Sequence, residues 1–311
     1  MTNFNSASAE MRDSPLISVI MNCYNSERFL REAIESVLAQ TYQNWEIIFW
    51  DNQSTDKSSE IVNNYKDSRI KYFYAPSHTV LGLARNLAIE CAQGQWLGFL
   101  DCDDLWLPAK LEKQVAIINE HGLELGLVYS EVESLIEEEA KLTIMGGNFA
   151  KQSSRKINQG CPSGYIFASM LRWNSIALVS ALVRHAAFIH VGGVDSELKQ
   201  AEDYDLFVKI TYSYKAIAIN EVTCLYRIHQ SNLTHAQLEK SYTESILVVK
   251  QFLPHLDAVA GLRIWQANYA GYLFLNGRYK DGLLNLISSR RFLYFIKKSW
   301  QKSFSAKGVK Y

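Results

Sequence analysis

The segment LISVIMNCYNSERFLREAIESVLAQTYQNWEIIFWDN, residues 16–52, decides the fold. LISVIMN (16–22) is a continuous apolar, β-branched run, as a strand buried on both faces requires. Over 26–40 the apolar residues Phe29, Leu30, Ala33, Ile34, Val37 and Leu38 recur at helical spacing, with Ser26 in the N-cap position. WEIIFW (45–50) is a second strand. Strand, helix and strand in such quick succession predict an α/β domain built on a parallel sheet.

The alternation continues outward. STDKSSEIVNNY opens a second helix, RIKYFY (69–74) is a third strand, and VLGLARNLAIECA (80–92) a third helix. A strand over 95–100 follows, then a helix over 108–121 with Pro108 in its first turn, then GLVYS (126–130) as a strand. Residues 131–162 are polar with little periodicity and predict a loop or hairpin excursion. Beyond them the pattern predicts a helix over 164–173, a strand over 175–184, a helix over 202–214 and a strand over 222–229. From about 236 the apolar spacing is helical to the end. The expected organisation is a disordered tail (1–14), an α/β domain (15–235, with halves about 15–130 and 131–235) and a helical extension (236–311).

The chain has 311 residues, 48% hydrophobic and 21% charged, and its charges sum to zero. No bulk field therefore points to nucleic acid. The charge is unevenly placed, because no acid follows Asp281 while Arg290, Arg291, Lys297, Lys298, Lys302, Lys307 and Lys310 do. Phe292, Leu293, Tyr294, Phe295, Ile296 and Trp300 interleave with this basic run. Residues 290–302 thus suit peripheral contact with an anionic membrane surface, or packing on the domain, or a dimer contact. Five scattered cysteines without a C-x-x-C, a polar N-terminus and no apolar run of about 18 residues predict a cytoplasmic protein that does not span a membrane.

Ligands of open α/β sheets bind at the carboxyl ends of the strands. Three predicted ends carry polar groups: Asn22-Cys23-Tyr24-Asn25, Asp51-Asn52 and Asp101-Cys102-Asp103-Asp104. The last is the most demanding. Two like charges about 5 Å apart repel by roughly 3 kcal/mol at an effective dielectric of 20. Protonation, basic neighbours or a divalent cation must compensate. Hard oxygen donors in Asp-x-Asp suit Mg²⁺ or Mn²⁺. Alternatively, Asp103 and Asp104 cap the following helix in a solvated loop.

The same residues carry a family resemblance. Residues 17–56, GLARNLAIECAQGQWLGFLDCDDLWLPAKLEKQV (82–115), GGVDSELKQAEDYDLFVKI (192–210) and LYRIHQSNLT (225–234) resemble, in order and spacing, the blocks of inverting glycosyltransferase family 2. The resemblance implies a GT-A fold, a Rossmann-like, mostly parallel sheet flanked by helices. It implies a sugar moved from a nucleotide-sugar, a UDP-sugar foremost, to a hydroxyl of a saccharide or lipid-linked saccharide in surface polysaccharide or glycolipid assembly. Tyr24 matches the aromatic that stacks on the base. Asp51 and Asn52 match an Asp-Asp pair at the nucleotide, with Asn in the second place and Gln53 where the family usually has Gly. Arg85 and Arg227 are expected near the nucleotide and diphosphate, and Asp101 near the ribose or metal. Asp103, with Asp101 and His229, is expected to hold Mn²⁺ or Mg²⁺, and Asp203 to be the catalytic base. Two other readings stand beside this one: transfer to a polyprenyl phosphate, and a catalytically inert binding module of the same fold. No G-x-G-x-x-G follows the first strand and no G-x-x-x-x-G-K-[ST] occurs, which excludes a dinucleotide dehydrogenase and a P-loop NTPase.

Overall fold

The structure, a computed structural model, describes residues 14–140, 154–156, 160–230, 232 and 237–289. The first compact unit comprises residues 1–167 and 174–233, the second residues 168–173 and 234–311.

The first unit is built on one mixed sheet. Its strands are β1 (Ile17–Cys23), β2 (Trp45–Asp51), β3 (Ile70–Tyr74), β4 (Trp96–Phe99), β5 (Leu105–Trp106), β6 (Leu125–Ile136), β7 (Ser154–Lys156), β8 (Leu182–Arg184) and β9 (Lys215–Ile228). Their order is β3-β2-β1-β4-β8-β6-β9-β5, with β7 paired to β6. The first four strands are parallel throughout. β8 runs antiparallel to both β4 and β6, and joins this half to the parallel β6–β9 pair. The strand order reverses at β1, because β2 and β3 lie on one side of it and β4 on the other. A crevice opens at such a point, beyond the carboxyl ends of the strands.

Every residue of β2 is buried, as its apolar run requires of a strand covered on both faces. α1 (Leu30–Leu38) buries Leu30, Ala33, Ile34 and Val37 against the core formed by Val19, Met21, Ile47 and Phe49. It begins at Leu30, with Phe29 rather than Ser26 in the capping position. The reason lies across the crevice mouth. Ser54 Oγ, Ser58 Oγ and Asp56 Oδ2 accept the backbone N–H groups of Asn25, Ser26 and Glu27 at 3.0, 3.1 and 2.9 Å. Those acceptors hold residues 25–27 as a loop ahead of the helix.

Other boundaries shift for similar reasons. β6 runs to Ile136 and pairs with β7, so the excursion after residue 130 begins as a long strand and hairpin. The strand expected over 175–184 is confined to Leu182–Arg184, behind a 3₁₀ turn at Leu178–Ser180. There the Val179 carbonyl accepts from Trp106 Nε1 at 2.9 Å, and the Ser180 carbonyl from Gln114 Nε2 at 2.8 Å. Side chains have taken the acceptors that a strand ladder would use. The helix over 164–173 shortens to α5 (Phe167–Met170), and α6 (His185–His190) and the first half of β9 were unmarked by the hydrophobic pattern. The other helices of this unit are α2 (Ser58–Asn63), α3 (Leu81–Glu90), α4 (Lys110–Glu120) and α7 (Glu202–Ser213).

The second unit holds α8 (Leu238–Lys250), α9 (Leu256–Leu275) and α10 (Tyr279–Ser288). The Leu171 carbonyl accepts from Trp265 Nε1 at 3.1 Å, and Glu239 accepts from Tyr269 Oη at 2.7 Å. Among the described residues no helix is long and apolar enough to cross a membrane. Residues 290–302, with their basic and aromatic side chains, lie outside the described residues.

Gly98 in β4 has no room for a side chain. A Cβ there would lie 2.7 Å from Trp106 Cη2 and 2.9 Å from Leu182 Cδ2. Trp106 is buried, and its indole is anchored to the Val179 carbonyl. Gly98→Ala is therefore expected to cost about 1–3 kcal/mol of stability, an overpacking penalty measurable by urea unfolding. An unchanged midpoint would show that Trp106 swings aside freely.

Candidate active site

Two clusters of side chains stand at the carboxyl ends of β1, β2 and β4, and a third stands at the start of α7. At β1 and β2, Cys23 and Asp51 are register partners. Asp51 is fully buried, and both its carboxylate oxygens are employed: Oδ1 accepts the Ser54 N–H and Oδ2 the Tyr72 hydroxyl, each at 2.7 Å. Burial, and then the Asp51 charge, push the Tyr72 phenol upward. Asn52 is also buried, and its amide pairs with one residue of the opposite loop. Nδ2 donates to the Thr79 carbonyl at 2.8 Å, and Oδ1 accepts the Thr79 N–H at 3.1 Å. Gln53 follows with φ 69°, the left-handed region that favours glycine, and holds the Ala75 carbonyl at 3.3 Å through Nε2. Tyr24 is 53% exposed, with its ring centroid 4.4 Å from that of His78.

The second cluster answers how the fold tolerates the acids after β4. Asp101 pairs with Arg85 at 3.3 Å. Asp103 Oδ2 lies 2.9 Å from His229 Nε2. Burial and the neighbouring Asp101 raise the Asp103 carboxyl, and His229 partly offsets them. Asp104 is buried, and its Oδ1 accepts the Arg227 backbone N–H at 2.8 Å while Oδ2 has no hydrogen-bond partner. Burial first, then the charges of Asp103 and Asp101, push it well above the usual carboxylate range.

The Arg227 side chain is held within the protein. Its Nε donates to the Asp103 carbonyl at 2.8 Å, one terminal nitrogen to Glu32 at 2.8 Å and the other to Glu137. The guanidinium lies over the Phe29 ring, 4.3 Å from its centroid. β9 ends at Ile228, so the alternation that would put residues 227 and 229 on one face stops between them, and the Arg227 side chain is buried among its own partners. Glu32 and Glu137, which hold it, carry no motif and were missed by sequence reasoning.

The third cluster begins α7. Arg85 is buried, and besides Asp101 it pairs with Glu202 at 2.6 Å. Burial alone would lower its guanidinium, but the charges of Asp101, Glu202 and Asp203 raise it instead. Asp203 accepts its neighbour Tyr204's N–H at 2.6 Å through Oδ1. Burial, then the Glu202 charge, push the Asp203 carboxyl up to about 7 against the pull of Arg85. The sequence marked Glu202 only as an acid at a helix start. The structure makes it the buried partner that holds Arg85 and loads Asp203. Lys209 pairs with Asp205 one turn along the same helix at 2.5 Å.

The donor set fits a divalent cation. Asp103 Oδ2 and His229 Nε2 are already at the separation of about 3 Å that two adjacent octahedral ligands adopt around Mg²⁺ or Mn²⁺. Asp101 is half-buried nearby, whereas buried Asp104 is not available. Among the described residues no group of three His, Cys, Asp or Glu is closed around a point, so water and ligand oxygens would complete the shell.

Glycosyl transferase family 2 is the family whose model matches, over residues 18–172. An uncharacterised glycosyltransferase of Rickettsia typhi is 32% identical over 227 residues, covering 73% of this chain and 68% of that protein. A UDP-Glc:α-D-GlcNAc-diphosphoundecaprenol β-1,3-glucosyltransferase of Escherichia coli is 30% identical over 226 residues, covering 71% of this chain and 81% of that protein. The solved structure of S. aureus TarS 1–349 in complex with UDP-GlcNAc aligns with TM-score 0.65 and 18% identity, over 88% of this chain and 81% of that one. At that identity the likeness is one of fold.

Asp203 couples the site to stability. Its carboxyl lies near 7 in the fold and about 3.9 in an unfolded chain. The contribution of its neutral form is complete below about pH 4 and is lost as the pH rises through about 7. Asp203→Asn has no such loss. The stability of the variant minus that of the wild type is expected to grow between pH 4 and pH 8, read from paired thermal melts. A difference independent of pH would mean that Asp203 ionises as a free carboxyl does.

Proposed function

Since the chain belongs to glycosyl transferase family 2, we propose that it moves a sugar from a nucleotide-sugar, a UDP-sugar foremost, to an acceptor hydroxyl in one inverting displacement assisted by Mn²⁺ or Mg²⁺. The chain is a glycosyltransferase with the GT-A fold. The finer statement rests on one observation above all: the buried Arg85 guanidinium ties Asp101 to Glu202, and Asp203 is the next residue along. The carboxylates at the donor end and the base therefore share one framework.

In this reading Tyr24 offers its exposed face to the base. Asp103 and His229, with Asp101, hold the cation, which when bound neutralises charge on the diphosphate. Asp203 accepts the acceptor's hydroxyl proton as the oxygen attacks the anomeric carbon. The carbon–oxygen bond to the diphosphate breaks on the opposite face, so the configuration inverts and no sugar–enzyme bond forms. A carboxyl poised near 7 is a stronger base than a free aspartate and is ionised in about half of the molecules at neutral pH. Arg85 supports this chemistry indirectly, because it keeps Glu202 and Asp101 in place.

The acceptor of the E. coli relative, a diphosphoundecaprenol-linked sugar, favours a lipid-linked saccharide acceptor in polysaccharide or glycolipid assembly over a bare polyprenyl phosphate. Peripheral contact through the basic run 290–302, on the cytoplasmic face of a membrane, suits such an acceptor. In the helix preceding that run, Tyr279, Leu283, Leu284 and Ile287 are exposed.

The deciding experiment is thermal stabilisation by nucleoside diphosphates with and without Mn²⁺, coupled to turnover. Wild type is expected to show a shift that needs both nucleotide and metal, and Asp103→Ala is expected to lose it. Asp203→Asn should retain the shift while turnover falls by roughly 10²–10⁴. A shift indifferent to metal would remove the cation from the mechanism. Separately, the intact chain should float with vesicles containing anionic lipid, and a chain ending at residue 289 should not. Equal flotation of the two would end the membrane role of the tail.

A further inference from the structure

The amide of Asn52, which sequence reasoning offered to the base, is already paired at both ends with the Thr79 main chain. Hydrogen bonding of this kind also fixes which end of the amide is oxygen. The main-chain carbonyl of Asn52 takes a second partner from the same loop, His78 Nδ1 at 2.8 Å. A carbonyl can only accept, so Nδ1 carries the proton. In the neutral ring Nε2 is then an acceptor, and it lies on the side of the ring away from Asn52. That ring is exposed and stands beside Tyr24, its centroid 4.4 Å away and its plane tilted by 54°. Asn52 therefore fastens the loop that sets the His78 ring beside the exposed Tyr24 ring.

We infer that His78 is the side chain that reads the base, with Nε2 accepting an imino N–H such as uracil N3–H from a base stacked on Tyr24, while Asn52 only positions His78. This deepens the proposed donor site and rests on it. Uracil offers a donor at that point of its edge. Cytosine offers a lone pair there, which would face the lone pair of Nε2. A site built to accept an N–H discriminates against the analogue that lacks it, because its acceptor is left unpaired.

The test is calorimetric titration in the presence of Mn²⁺ with UDP, CDP and N3-methyl-UDP, on wild type, His78→Ala, His78→Gln and Tyr24→Ala, each checked for an unaltered circular dichroism spectrum. Wild type is expected to prefer UDP over the other two by roughly tenfold or more. His78→Ala should lose that preference through weaker UDP binding alone, and His78→Gln, which restores an acceptor, should recover part of it. Tyr24→Ala should weaken all three alike. Retention of the UDP preference in His78→Ala, or a wild type that prefers CDP, would overturn the assignment of His78 and leave the nucleotide site standing. Failure of wild type to bind any of the three would overturn the assignment together with the donor-site reading beneath it.

Discussion

Three carboxylates within four residues at the end of β4 impose the constraint on which the rest of the site depends. The structure compensates each one differently. Arg85 faces Asp101, His229 faces Asp103, and burial with the charges of Asp103 and Asp101 pushes Asp104 toward its neutral form against the Arg227 main-chain hydrogen bond. The acids are therefore held in distinct states before any ligand arrives. Like charges in one loop become separate chemical groups because their environments differ.

Two of the buried arginines, Arg227 and Arg85, divide the work at the site. Arg227 sits behind the acid loop, where it accepts the surroundings of Glu32, Glu137, the Asp103 carbonyl and the Phe29 ring. Ion pairs whose carboxylates reach solvent, as Glu32 does, are weak evidence for net stability. What Arg227 contributes is position: it ties α1 and the end of β6 to the residues that face the crevice. Arg85 lies between the loop and α7, and it links the carboxylate after β4 to the acids that begin the helix. The Glu202 charge that holds Arg85 also raises Asp203. One ion pair thus serves both the charge balance and the basicity of the neighbouring carboxyl.

At the other end of the crevice the polar groups are spent on the loops themselves. Asp51 and Asn52, at the end of the buried strand β2, hold Ser54, Tyr72 and Thr79. Gln53 accepts a left-handed backbone to make the turn between them. This arrangement leaves Tyr24 and His78 as the exposed rings at the mouth.

The sequence by itself determined the alternation of buried strands and amphipathic helices, because apolar spacing is a local property that residues such as Val19, Ile34 and Ile47 display along the chain. It also marked Asp101 and Asp103 as acids at the end of an apolar strand, while Arg85, Asp203 and His229 were marked by the family resemblance of the segments that hold them. Tertiary structure alone decided which of them meet. Arg85 and Glu202 are 117 residues apart, and Arg227 and Glu32 are 195 apart. No periodicity carries such pairings, since they follow from the order of strands in the sheet and from the loops that cross its ends. The same is true of the elements that were misplaced. The N-terminal turn of α1 and the segment before β8 take their shape from Ser54, Ser58, Asp56, Trp106 and Gln114, side chains far away in sequence that claim backbone groups a local pattern assigns to a helix or strand. Burial made the remaining distinction, because it turned Asp203 from an ordinary carboxylate into one poised near neutrality.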